Sequence, residues 1–177
     1  ENQYSVGIFF DRNQSYNYLV VRRKRQHPLD FGNATTFAET VEESILIEYA
    51  QKILTKTKMR GLCEVEFKYD YRDDKFKFLE VNPRTWKWHL ISIGAKIPFL
   101  LSLYNFMIYS HPIMKKDYSE SAWRDSIIDL PIILMMKWKK VFIPSYVKVL
   151  IPAVFNIKDI KPFLFQCISL PYNFIKR

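Results

Sequence analysis

The chain has 177 residues, of which 49% are hydrophobic and 25% charged, with only 4 Gly. That composition suits one globular domain with its own core; it excludes a disordered tail and leaves little room for two full domains. The formal charge of +9 draws anions such as a polyphosphate without naming a partner, and no basic and aromatic repeat of a nucleic-acid module accompanies it, so no nucleic acid is expected.

Residues 3–10 (QYSVGIFF) and 16–24 (YNYLVVRRK) are β-branched and aromatic runs separated by the turn formers Asp11 to Ser15, a hairpin signal. The polar stretch from Gln26 to Thr36, with Pro28, Asp30 and Gly32, reads as a loop. Thr40-Val41-Glu42-Glu43 fits a capping box opening a helix. Val41, Ile45, Tyr49, Ile53 and Leu54 then recur at helical spacing, and Gly61 closes the segment after a basic last turn. Two strands follow, 62–69 (LCEVEFKY) and 75–82 (KFKFLEVN), joined by Asp70 to Asp74. Residues 86–95 and 98–110 read as helices, and after a polar break near 111–121 further helical segments run to the end between prolines. The expected architecture is α+β, an antiparallel sheet covered by helices and followed by a helical C-terminal extension. Its units are residues 1–110 and an extension, 111–177, packed on them.

The first residue is Glu rather than Met, which leads to the expectation of a piece of a longer protein. No secretory pattern opens the chain, and Cys63 and Cys167 lack metal-type spacing, so two free thiols in a reducing cytoplasm are expected. The apolar stretch Ile97 to Tyr109 is shorter than the roughly 20 residues that span a bilayer. The longer region 127–155 is broken by Asp129, Pro131, Lys137, Lys139, Lys140 and Pro144. Both should pack against protein, with peripheral membrane contact the alternative.

The second hairpin carries chemistry. With its turn centred on Asp73, Glu66 and Glu80 oppose each other, and alternation puts Glu80 and Asn82 on one face. Opposed carboxylates repel; a divalent cation between them removes the penalty, and Mg²⁺ favours one or two carboxylates plus substrate phosphate oxygens. Arg84 just beyond can grip a phosphate with two N–H groups. The competing reading pairs both glutamates with Lys68 and Lys77 on a solvated face, and a slip of one residue separates them.

The segment GLCEVEFKYDYRDDKFKFLEVNPRTWKWH, Gly61 to His89, resembles the signature of ATP-grasp ligases of the carbamoyl-phosphate synthetase and biotin carboxylase group, amine-ligase subgroup. The resemblance implies that Glu66, Glu80 and Asn82 hold two Mg²⁺ ions bridging the ATP phosphates and that Arg84 contacts phosphate or acyl-phosphate as the catalytic cation. More weakly, VVRRKRQHPLDFG resembles the basic strand and loop before the family's helix, which implies phosphate contact by Lys24 or Arg25; a solvated basic edge strand is the other reading there. WRDSIID and FNIKDIKPF resemble the C-terminal segment of amine-ligase-like members, although Ile160 stands where that motif has its first Pro. Small residues often follow the family's NPR; here Trp86, Lys87 and Trp88 follow, Trp86 being expected in the core.

What the resemblance implies is a parent that activates a small carboxylate with Mg-ATP and transfers the acyl group to an amine. The adenine-binding hinge, nucleotide lysines and glycine-rich lid would belong to upstream domains of that parent, so the isolated chain is expected to be inactive. The alternative is a non-catalytic ATP-grasp-like scaffold or membrane-surface binding module.

Overall fold

The computed structural model describes residues 2–12, 14–28, 34–115, 117–129 and 148–175, with side chains to residue 169. The β-branched and aromatic N-terminal runs become a long hairpin, β1 (Gln3–Asp11) and β2 (Gln14–His27), paired antiparallel with Gly7 opposite Leu19. β3 (Ala34–Thr40) pairs with β2. The helix α1 (Ser44–Thr57) leads into a second hairpin, β4 (Gly61–Asp70) and β5 (Lys75–Asn82). A single helical turn α2 (Ile91–Gly94) and the helix α3 (Phe99–Tyr109) follow. Then come two short strands, β6 (Ser121–Arg124) and β7 (Val149–Pro152), and a last helix α4 (Lys161–Ile175). The seven strands form one sheet in the order β5-β4-β1-β2-β3-β6-β7, antiparallel except for β6 and β7.

β1 and β4 lie inside the sheet and are covered on both faces, which is why their side chains are buried with little alternation. On one face Leu46, Ala50 and Leu54 of α1 pack on Val6, Ile8, Phe10, Val20 and Val65. On the other, Trp86, Trp88, Ile91 and Phe99 pack on Phe9, Leu19, Val21 and Leu62. Gly7 makes this second layer possible. A Cβ there would sit 2.2 Å from Cζ2 of Trp86, so the indole lies directly on the backbone of β1. Trp86 is a core residue, as expected.

The α+β reading holds, with five differences in detail. Residues 34–36, read as loop, begin β3: Thr35, Thr36 and Phe37 are β-branched or aromatic and buried, and their place is taken by pairing with β2. Thr40 therefore ends a strand instead of capping a helix; its Oγ1 accepts from the Ser121 N–H at 2.9 Å, and α1 starts only at Ser44, without a side-chain cap. The same helix closes on Lys58 in the left-handed conformation (φ 56°), while Gly61, also at positive φ, opens β4. The residues 86–95 make turns and one short helix instead of a full one. Among the described residues of the extension, only α4 and a helical turn at 126–129 match the helical expectation; β6 and β7 extend the sheet instead. The remainder of the 127–155 helical expectation, through 147, lies outside the described residues.

Candidate nucleotide and metal site

Glu66 does pair with Glu80, but by a route that spacing alone hides. Asp70 pairs with Lys75 and Phe67 with Phe78, so the turn centres between Arg72 and Asp73 and unbroken pairing would set Glu66 against Leu79. A bulge at Leu79 shifts the register by one residue and brings Glu66 opposite Glu80, Val65 opposite Val81 and Glu64 opposite Asn82. Bulges re-aim side chains, and this one turns the end of β5 toward the face carrying Trp86 and Trp88.

Three carboxylates meet there at one amide. The Asn82 Nδ2 lies 2.9 Å from Glu80 Oε1, 3.2 Å from Glu66 Oε1 and 3.5 Å from Glu64 Oε2. The Oδ1 of the same amide accepts from Arg84 Nη2 at 3.2 Å. On the far side of Glu66, Arg23 donates to its Oε2 at 3.4 Å and to Gln3 Oε1 at 2.7 Å. Lys68 and Lys77 are not the glutamates' partners; Lys77 pairs with Asp73 instead. A cavity of about 550 Å³ opens over the group, with Arg23, Glu64, Glu66, Glu80, Arg84 and Lys87 in its wall. Three acidic and three basic side chains thus share one pocket, an arrangement suited to a ligand with both cationic and anionic parts.

Glu64 belongs to this site although the sequence reading passed over it. It is 5% exposed, and the Trp88 indole N–H donates to its Oε1 at 2.8 Å. Burial, aided by the neighbouring Glu66 charge, pushes its carboxyl up to about 7 against the opposing pull of that indole bond. Burial also raises Glu66, with Glu80 adding to the shift and Arg23 opposing it. In both carboxyls burial is the largest cause, and a neighbouring carboxylate adds to it. The available signal was the repeat Glu64-Val65-Glu66: period two on a strand puts both acids on one face.

Arg23 was the other omission. Lys24 and Arg25, the expected phosphate contacts, are engaged elsewhere. Lys24 lies 3.5 Å from buried Glu39, which it shares with Arg22. Arg25 is buried and donates to both oxygens of Asp129, Nε to Oδ1 at 2.7 Å and Nη2 to Oδ2 at 2.6 Å, with Phe37 beneath its guanidinium. Neither lines the cavity. Lys87 does, held by Asp125 at 2.9 Å and lying over the Trp123 ring.

These donors are hard oxygens with an amide that offers either an NH₂ or a carbonyl from one place, which fits Mg²⁺. Among the described residues no three His, Cys, Asp or Glu side chains already form a metal cage. Mg²⁺ asks for less than that, since phosphate and water oxygens complete its shell. Cys63 is buried with its thiol pushed up to about 11 by burial, and both cysteines are free.

Residues 16–95 match the family model described as carbamoyl-phosphate synthase L chain, ATP binding domain. That segment, 80 of the 177 residues, is similar to the ATP-binding domain of that family. The match contains β4, β5 and the whole acidic group, so the matched segment and the candidate site coincide. Solved structures share the ATP-grasp fold at low identity. The phosphoribosylaminoimidazole carboxylase ATPase subunit of Aquifex aeolicus superposes with TM-score 0.54 at 16% identity, over 69% of this chain and 39% of that one. The biotin carboxylase–βγ-ATP complex of Campylobacter jejuni gives TM-score 0.54 at 18% identity, over 68% and 29%. Pyruvate carboxylase T882A of Rhizobium etli gives 0.50 at 21%, over 59% and 11%. The chain therefore spans between 11% and 39% of these three proteins. No curated protein matches it.

Proposed function

We propose that this site binds the phosphates of Mg-ATP in a carboxylate–amine ligase. One observation carries the reading: three carboxylates from adjacent strands converge on the Asn82 amide, with Arg84 on its other side and Arg23 and Lys87 in the same cavity wall. In this reading Glu66 and Glu80 hold Mg²⁺, two ions being the expected number, and Asn82 completes their shell. Arg84 contacts the transferring phosphoryl group, and Arg23 takes the phosphate-binding part expected of Lys24 or Arg25. Bound Mg²⁺ would supply charge neutralisation on the phosphate oxygens, the dominant need in phosphoryl transfer.

The reaction needs no protein nucleophile. A substrate carboxylate oxygen attacks the γ-phosphorus of ATP and ADP leaves; an amine then attacks the acyl-phosphate carbon, forming the amide and releasing phosphate and a proton. The protein's share is alignment and fixed charge. The complete reaction is proposed for the parent in which this site joins the rest of an ATP-grasp enzyme, in the cytoplasm where ATP is supplied; the isolated chain is proposed to be inactive. The units 1–110 and 111–177 are part of the same reading; the pairing of β6 with β3 supports the packing of the extension on the sheet and carries the sheet across the 110/111 division.

The test is Glu80→Gln in the parent. Mg-dependent ADP release should fall at least about 100-fold, the scale of losing one group that stabilises developing charge, while the melting temperature holds. Unchanged turnover would remove the metal assignment.

A further inference from the structure

The charge of the chain lies wholly on one side of residue 80. Residues 1–80 hold thirteen Lys and Arg and thirteen Asp and Glu, whereas residues 81–177 hold fourteen and five, which accounts for the entire +9. No acidic side chain occurs between Glu80 and Asp117, between Asp129 and Asp159, or after Asp159.

The same half displays its apolar side chains. α3 packs inward through Phe99, Leu103 and Phe106, whose rings and branches meet Trp86 and Phe9. At about 100° per residue, Met107, Leu100, Tyr104, Ile108 and Leu101 fill one arc about 120° wide on the opposite side. All five are more than half exposed, Met107 to 73%. A helix apolar around its whole circumference is ordinarily buried; this one is covered on a single face. Lys96 joins Ile93, Leu100 and Leu101 around a shallow groove at the N-terminal end of the helix. α4 repeats the pattern with Leu164, Phe165 and Ile168 exposed on one face and Lys158 and Lys161 at its start.

Three kinds of occupant answer these features differently. A second copy would set Lys96 and the lysines at the start of α4 against their like. A nucleic acid would satisfy the cations and leave the apolar arc without a use. An anionic bilayer surface satisfies both, acyl chains receiving the arc and headgroup phosphates the lysines.

We propose that the exposed face of α3, with Lys96 at its edge and the exposed face of α4 as a second contact, seats on an anionic phospholipid surface. The helices lie in the interface: among the described residues none is long and apolar enough to cross a membrane. The inference stands apart from the ligase reading, since it uses neither the acidic group nor its cavity.

The test is co-sedimentation of the 177-residue chain with vesicles of phosphatidylcholine alone and of phosphatidylcholine mixed with phosphatidylglycerol. Binding should be at least about tenfold stronger to the anionic vesicles and should weaken as salt rises. The triple variant Leu100→Ser, Met107→Ser, Ile108→Ser should lose at least about tenfold with an unchanged circular-dichroism spectrum. Two single changes on exposed side chains, Met107→Asp and Lys96→Glu, keep the test valid if the triple variant unfolds; each should also weaken binding. Equal affinity of these variants and the parent chain would overturn the proposal. So would no binding to anionic vesicles, or a dimer in sedimentation velocity that the α3 changes abolish.

Discussion

Glu64 is the residue whose behaviour is most open to measurement. Its carboxyl keeps a proton up to about 7 in the folded chain, against an ordinary value of 4.5. Between those values the folded state binds more protons than the unfolded one, so stability contributed by the protonated group is lost as pH rises through the window. Glu64→Gln keeps an acceptor for the Trp88 N–H and never ionises. It should match the parent chain near pH 4.5 and exceed it by about 2 kcal/mol near pH 8, read by urea denaturation without Mg²⁺; an equal difference at both pH values would reject the burial account. At this scale Glu66, Glu80, Asn82 and Arg84 were legible because they fall within one hairpin and its exit. Arg23 was not, because it reaches Glu66 from 43 residues away and its strand offers three other adjacent cations.

At the scale of elements, the hairpin β4–β5 and the indole layer over β1 fix the site together. The bulge at Leu79 aims Glu80 and Asn82, while Trp88 holds Glu64 from the opposite wall. Trp86 leans on Trp88 at 5.1 Å between ring centroids and lies on Gly7. Gly7→Ala should therefore push Trp86 off the strand, cost about 1–3 kcal/mol as overpacking does, and shift the tryptophan emission. Unaltered emission and stability would show that the layer yields freely. β3 was missed because Thr35 and Thr36 were counted with the polar stretch that holds Pro28, Asp30 and Gly32, and the capping box failed because Thr40 was claimed by strand pairing. Local preference gave way to a sheet edge that only the folded chain presents.

At the scale of the molecule, the C-terminal segment is tied to the sheet by a buried ion pair. Asp129, fully buried, accepts from Arg25 of β2 through both oxygens and from Thr36 of β3 at 3.0 Å. Asp129→Ala removes the only charged end of that tie that comes from the helical turn at 126–129, and breaking a buried pair from one side costs about 3–5 kcal/mol. The expected result is a lower urea midpoint with the acidic cavity's Mg²⁺ response retained; an unchanged midpoint would mean the segment is held by β6 and β7 pairing alone.

The sequence by itself determined the α+β class, the acids Glu66 and Glu80 on neighbouring strands, the amide and arginine beyond them, and the ATP-grasp signature that contains all four, while the bulge at Leu79 decided that the two acids face each other. These features sit within a run of about two dozen residues, where strand periodicity and a tight turn restrict what can meet what. Tertiary structure alone decided that Arg23 rather than Lys24 or Arg25 faces the carboxylates, that Trp88 braces Glu64, and that Arg25 finds Asp129 across 104 residues. Contacts at that separation depend on strand order in the sheet and on which side chain a neighbouring strand has already engaged, and neither is encoded in local pattern.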